Sequence, residues 1–391
     1  MICLFLSAAV SLFSCQPPAA KSYGFLTTLG RDTIAVERIN RRGNTLTSDE
    51  VDRFPRVRLR HTVVDLNDDG SIRHLEMNIH TPSEPSGLRE RKVVADVADN
   101  KVHLSKTDST GTVNRDFPTG GSLVVAHIPQ MYSLYELYFA AALKHPAATP
   151  LQLRQFYIDR EFDRFPLGHA AVKPLDGGKM EITHDWLSGT GEAMMDSAGN
   201  MSSYSGARTT YDVRVERLAI PPDVKGIADR WEEAETQAGS VKSLSVRDTI
   251  RTQIGNSIFT VDYGRPLLRG RTLLGDVIPY DYVWRTGANE ATQFTTSTPI
   301  KLAGMQVPAG SYTLFTAPHT SGVDLIVNKQ TGEWGTEYNR SLDLGSVRMI
   351  SEVATAPVEE FTIAVIPRDK RHGTLVIEWG SFRWSAPIEV Q

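Results

Sequence analysis

The sequence predicts a mainly β protein: an N-terminal curved antiparallel sheet with one helix, then a C-terminal β-sandwich or jelly roll. Three observations predict it. Polar and apolar residues alternate with a period of two over most of the 391 residues, as half-buried strands require. Turn residues recur roughly every eight to twelve positions, the rhythm of an antiparallel meander. Between Tyr23 and Leu218 a single stretch carries a helical period.

The chain opens with the apolar run Met1 to Cys15, shorter than the ~20 residues that span a bilayer and of secretory length. Leu12-Phe13-Ser14-Cys15 resembles a bacterial lipobox. The resemblance implies that residues 1–15 are a lipoprotein-type signal segment cleaved before Cys15, which is acylated and becomes the mature N-terminus, and that the protein is anchored in the outer membrane. Gln16-Pro17-Pro18-Ala19-Ala20 is expected as an extended tether over 16–22. Both cysteines, Cys3 and Cys15, lie in this first segment. The rest of the chain therefore has no disulfide, thiolate nucleophile or cysteine-based metal site.

From residue 23 to 220 the alternation dominates. Arg56 to Val64, Ile72 to Ile79, Lys92 to Val97, Lys101 to Ser105 and Tyr211 to Val215 are expected as strands. Asn67-Asp68-Asp69-Gly70, Asp99-Asn100, Asp176-Gly177-Gly178 and Ala198-Gly199-Asn200 are the turns between strands. Ser133 to Lys144 is the helix, with Leu134, Leu137, Tyr138, Ala141 and Ala142 on one stripe. Pro221-Pro222 ends the sheet, and 221–245 is expected as a linker with a short helix. From 246 to 391 about eight short strands return, among them Ser257–Tyr263, Gly310–Ala317, Val323–Asn328 and Thr374–Trp379.

Composition narrows function. With 42 basic and 46 acidic residues the net charge is −4, so no global basic field exists for a nucleic-acid backbone. The ten histidines are scattered. His74 and His80 share a strand face but lie about 20 Å apart in an extended chain, too far for one ion without help from another segment. No metal and no cofactor is expected. Asp65-Leu-Asn67-Asp-Asp69-Gly70 through Glu76 has the spacing of a calcium loop. Strand-like flanks make it a hairpin turn, with Glu76 well up the second strand; weak calcium binding by Asp65, Asn67 and Asp69 is the alternative. Gly264 to Thr272 has the wrong spacing for a phosphate loop.

One region is unlike plain strands. Asp262-Tyr-Gly-Arg265-Pro-Leu-Leu-Arg-Gly-Arg271 is followed by Trp284-Arg285-Thr-Gly-Ala-Asn289-Glu290, then by Asn328-Lys329 and Trp334-Gly335. In order and composition these strings resemble the bacterial family called domain of unknown function 2911, from about Leu244 to Val390. Asp281 stands where that family commonly has glycine. The resemblance implies a secreted or envelope β-domain without an established activity.

Physically, Arg265, Arg271, Arg285 and Lys329 offer donors to an anionic or hydroxylated ligand, and Trp284 and Trp334 offer stacking faces. Glycine at 287 is expected to turn the backbone so that Asn289 and Glu290 return towards Arg285. The leading expectation is an envelope lipoprotein that binds a glycan or a peptide with this cluster, attached to the membrane by its lipid anchor and without nucleic acid as partner. Two alternatives stand beside it: a metal-free hydrolase using Asp262 and Glu290 as a carboxylate pair, and a purely structural envelope protein.

Overall fold

The computed structural model describes residues 20–53, 56–158, 167–185, 187–209, 211–238, 244–275 and 277–391. Cys15, the signal-like segment and most of the expected tether lie outside them. Lys21 and Ser22 belong to the first strand and not to the tether, since they pair with Arg41 and Asn40.

Eight strands form the first meander: β1–β8 at Lys21–Leu29, Asp32–Arg42, Thr45–Asp52, Arg58–Leu66, Ile72–His80, Glu90–Ala98, Lys101–Asp108 and Gly111–Pro118. A short helix, α1 (Ser86–Arg89), interrupts it. Seven more, β9–β15, follow at Val124–His127, Leu151–Tyr157, Gly168–Pro174, Lys179–His184, Leu187–Met195, Met201–Ser205 and Arg214–Leu218. They join in one 15-stranded sheet, β8 to β1 and then β15 to β9. A twisted sheet of that size curls. The last strand starts three residues later than the alternation placed it, because Gly206 donates to Val213 O at 2.8 Å and closes a turn first.

The alternation sorts the faces as the sequence reading requires. Leu46, Val64, Leu75, Ala95 and Leu104 form one cross-strand row on the concave face, each fully buried. The Asp65–Glu76 segment is a hairpin. Asp65 pairs with His74 and Glu76 with Val63, Asp69 accepts from Ser71 N at 2.8 Å, and Glu76 is held by Lys92 at 2.8 Å.

The concave face closes on α2 (Tyr132–Lys144). Its buried surface is wider than the single stripe expected: Tyr132, Tyr135, Glu136 and Phe139 are buried as well, while Leu143 is exposed. Two buried glutamates fasten it. Glu37 on β2 accepts from Ser133 N at 2.9 Å and from the Ser133 hydroxyl, a carboxylate at the positive end of the helix. Glu136 accepts from Arg217 at 2.6 Å and from the Tyr23 hydroxyl, while the Arg217 guanidinium lies 3.5 Å from the Tyr23 ring centre.

Residues expected as a linker instead cover the convex face. Helix α3 (Val224–Ala238) packs Val224, Ile227, Ala228 and Trp231 onto Val36, Val51 and Val57. That spacing is the apolar stripe of an amphipathic helix.

The C-terminal part is a sandwich. Ten strands, β16–β25, run at Ser245–Ile254, Ser257–Pro266, Thr292–Thr296, Ile300–Leu302, Met305–Val307, Gly310–His319, Gly322–Asn328, Asp343–Arg348, Ile350–Pro367 and His372–Val390. They form a six-stranded sheet, β16-β17-β18-β21-β22-β23, and a four-stranded one, β20-β19-β25-β24. Phe259, Phe294 and Leu325 of the first meet Phe361, Ile377 and Trp379 of the second in one core. The two halves of the chain touch where Arg269 Nε donates to Asp32 at 2.8 Å.

Candidate functional site

The motif-bearing loops connect β17 to β18 and β22 to β23. They are zipped to the six-stranded sheet and to each other by backbone. Trp284 and Thr316 exchange hydrogen bonds at 2.7 and 2.9 Å. Gly335 N donates to Asn289 O at 3.0 Å and Ala291 N to Glu333 O at 3.2 Å. The chain reverses through Thr286 and Asn289, with φ of 51° and 63°, and not through Gly287 as expected. Gly287 is there for room: a Cβ on it would stand 3.0 Å from Gly264 O. Asp281, where the family resemblance puts glycine, has φ 64°, a conformation that aspartate tolerates better than most residues.

The structure separates the nine predicted residues. Trp284 is only 4% exposed; it packs edge-on to Phe361 at 5.2 Å and parallel to Trp379 at 5.7 Å. It is a core residue and not a stacking face for ligand. Asp262 and Glu290 are near each other, but Arg247 spans them, 2.8 Å from Asp262 and 3.4 Å from Glu290. Arg265 is spent on Asp248 at 3.2 Å and Glu360 at 2.9 Å. Arg271 closes its own turn by donating to Leu267 O and Leu268 O at 2.8 and 2.9 Å, and burial lowers its pKa to about 10. Lys329 is exposed, and its backbone N–H holds Leu342 O at 2.9 Å.

Arg285, Asn289, Glu290 and Trp334 do come together. Glu290 and Trp334 pair across an antiparallel bridge, so residues 333 and 335 face the opposite side from Trp334. Arg285 runs over Gly335, where a Cβ would lie 2.3 Å from its Cδ, which puts Arg285 on the same side as Glu333. Arg285 donates to Asn289 O at 3.2 Å and forms no ion pair among the described residues. Burial lowers its pKa to about 10, so it stays charged at neutral pH. Glu333 is 5% exposed, and neither carboxylate oxygen has a hydrogen-bond donor among the described residues. The amide oxygen of Gln330 in the same loop also lacks one. Two opposite charges of this site are therefore unspent. Glu333 was not singled out in the sequence, because a glutamate between two loop glycines looks like any exposed one.

The concave face of the N-terminal sheet carries two further polar groups that the sequence did not reveal. Glu37, Glu50 and Arg60 form one cross-strand row, all buried, with Asp52 beside them. Deeper along the sheet, the His127 and His184 rings lie 4.9 Å apart. The Gln155 amide oxygen accepts from the Tyr138 hydroxyl at 2.9 Å and lies 3.0 Å from His184 Nδ1. Burial pushes His184 down to about 3 and His127 well below its usual value, so both rings are neutral at physiological pH.

Comparison with known proteins bears on the C-terminal half. Residues 245–388 match the model of a family described as "Protein of unknown function (DUF2911)". Two solved structures are similar at low level. One is a DUF1089 family protein from Pseudomonas aeruginosa, 15% identical, covering 46% of this chain and 92% of that one with a TM-score of 0.34. The other is a β-barrel-like protein of domain of unknown function DUF1849 from Brucella abortus, 13% identical, with coverage of 52% and 96% and a TM-score of 0.33. None of the curated proteins matches the chain.

Proposed function

We propose that the protein is a lipid-anchored envelope protein whose C-terminal sandwich binds a small polar ligand, a glycan or a peptide, between Arg285 and Glu333. The observation that carries this reading is the pair of unspent charges on one side of two zipped loops. An ionised group out of water without a partner is costly, and a ligand bearing both a carboxylate or hydroxyls and a donor-rich group would satisfy both.

Oligosaccharides containing amino sugars and short peptides with free termini are the probes. Binding should be lost in Arg285→Ala and in Glu333→Gln, while each variant melts within a few degrees of the parent. Unchanged affinity in both would overturn the reading.

A second reading has its own support. Asp262, Arg265, Arg271 and Trp284 are satisfied within the protein, as a scaffold requires. A large fall in melting temperature for both variants would favour that scaffold. Nothing favours the hydrolase, because Arg247 sits between the two carboxylates where the scissile bond and its water would have to lie.

The anchor rests on the Leu12–Cys15 string. Labelling with an alkyne fatty acid should mark the parent and not Cys15→Ser; equal labelling of both removes the anchor.

A further inference from the structure

We propose that the convex face of the N-terminal sheet binds a first-row transition-metal ion, Zn²⁺ or Cu²⁺, between the Nε2 atoms of His61 and His80. The sequence offered His74 and His80 as the nearest same-strand pair and found them too far apart. The segment that completes a site is the neighbouring strand. His61 on β4 pairs directly with Asn78 on β5, and His80 is two residues further along β5. That diagonal relation puts same-face residues roughly 7–8 Å apart. Both histidines line one half-open cavity of about 250 Å³, room for an ion and several waters at ~30 Å³ each.

Their carboxylate partners set the direction of the rings. His61 Nδ1 donates to Asp49 on β3 at 2.7 Å, and His80 Nδ1 donates to Glu90 on β6. A carboxylate only accepts, so in the neutral ring the proton sits on Nδ1 and Nε2 carries the lone pair. Asp49 and Glu90 stand on the outer flanks of the β4–β5 pair. The two nitrogens of an imidazole point in nearly opposite directions, so both Nε2 atoms turn towards the strip between the two strands. A carboxylate behind each histidine is also the arrangement that fixes the tautomer and raises ligand basicity in metal sites, and imidazole suits zinc and copper.

The charged groups around the cavity do not forbid a cation. Arg38 is engaged by Asp49 at 2.6 Å and Lys225 by Asp229 at 2.8 Å. No three His, Cys, Asp or Glu side chains stand in metal geometry among the described residues. Two imidazoles and solvent therefore make up the coordination, and the ion keeps open positions. Two other histidines on this face, His74 and His103, are bound to Asp96 and Asp116. Their strands, β5 and β7, are separated by β6, so they serve as built-in controls.

The test is calorimetric titration of zinc and copper chlorides into the full chain carrying Cys15→Ser, at about pH 7.5. One ion per chain is expected. His61→Ala and His80→Ala should each weaken binding at least about tenfold, and Glu90→Gln by about 10–100-fold, with His74→Ala and His103→Ala unchanged. The side chains of His61 and His80 are 50% and 43% exposed, so the substitutions leave the core intact, and circular dichroism checks it. Copper electron paramagnetic resonance should show hyperfine coupling from two imidazole nitrogens. Equal affinity in His61→Ala and His80→Ala would overturn the site. So would loss in His74→Ala instead, or sulfate binding at the cavity without any metal binding.

Discussion

Arg60→Ala should destabilise the protein by about 3–5 kcal/mol, the range for breaking a buried ion pair from one side. The Arg60 side chain is 0% exposed and lies 2.7 Å from Glu50 and 2.5 Å from Asp52. Each of those carboxylates already has one oxygen without a donor among the described residues, Oε1 of Glu50 and Oδ1 of Asp52. Removing the guanidinium leaves two acids inside the curved sheet with Arg58 alone to face them, 3.2 Å from Asp52. The loss should depend on pH. Burial raises Glu50 to about 8, with Arg60 opposing and Asp52 reinforcing the rise. The folded state thus holds a proton that the unfolded chain releases near 4.5. The stability that this proton contributes is complete below that value and disappears as pH climbs through 8. Without Arg60 the Glu50 pKa rises further, so both proteins keep the proton at pH 6 and only the parent gains the charged pair above 8: the deficit should be larger at pH 9 than at pH 6. Urea unfolding of Arg60→Ala at both pH values measures it. Arg38→Ala is the control: its ion pair with Asp49 is on the surface, with the Arg38 side chain 47% exposed, and should cost well under ~1 kcal/mol. Equal losses in the two variants would remove the buried-charge account.

Trp284→Ala should cost the C-terminal sandwich about 3–5 kcal/mol, as large-to-small changes in a packed core do. The indole is stacked at an interplanar angle of 13° on Trp379 and meets Phe361 edge-on. Its backbone is bonded to Thr316 in both directions, so the loop cannot collapse into the space left behind. Trp334→Ala should cost far less, because that ring is half-buried in the loop. Differential scanning calorimetry of both variants distinguishes a core tryptophan from a ligand platform. A Trp284→Ala melting temperature close to the parent's would return Trp284 to the binding site.

These two residues also mark how far the sequence could be read. The string Trp284-Arg285-Thr286-Gly287-Ala288-Asn289-Glu290 has the composition of a binding loop, and the family match over residues 245–388 agrees with its recognition. Composition does not say which side of a sheet a loop covers. Trp284 is buried because Trp379, almost a hundred positions later, presents its face there. Arg265 is spent because Glu360 arrives from the other sheet. Glu333 stayed invisible for the opposite reason: nothing local distinguishes a buried glutamate from an exposed one.

By itself the sequence determined what short-range physics controls. Period-two alternation assigned side chains to the two faces of each strand, and Asp99-Asn100, both with positive φ, turned the chain where expected. The apolar spacing of Ser133–Lys144 placed a helix within one residue of Tyr132–Lys144. Only the tertiary structure decided which charges are spent. Arg60 is neutralised in a row set by the registers of β2, β3 and β4. His61 stands diagonal to His80 because β4 and β5 pair in one register. A register shifted by one residue would send every one of these side chains to the other face. Register is set by the summed burial of whole strands, so no local window of residues contains it.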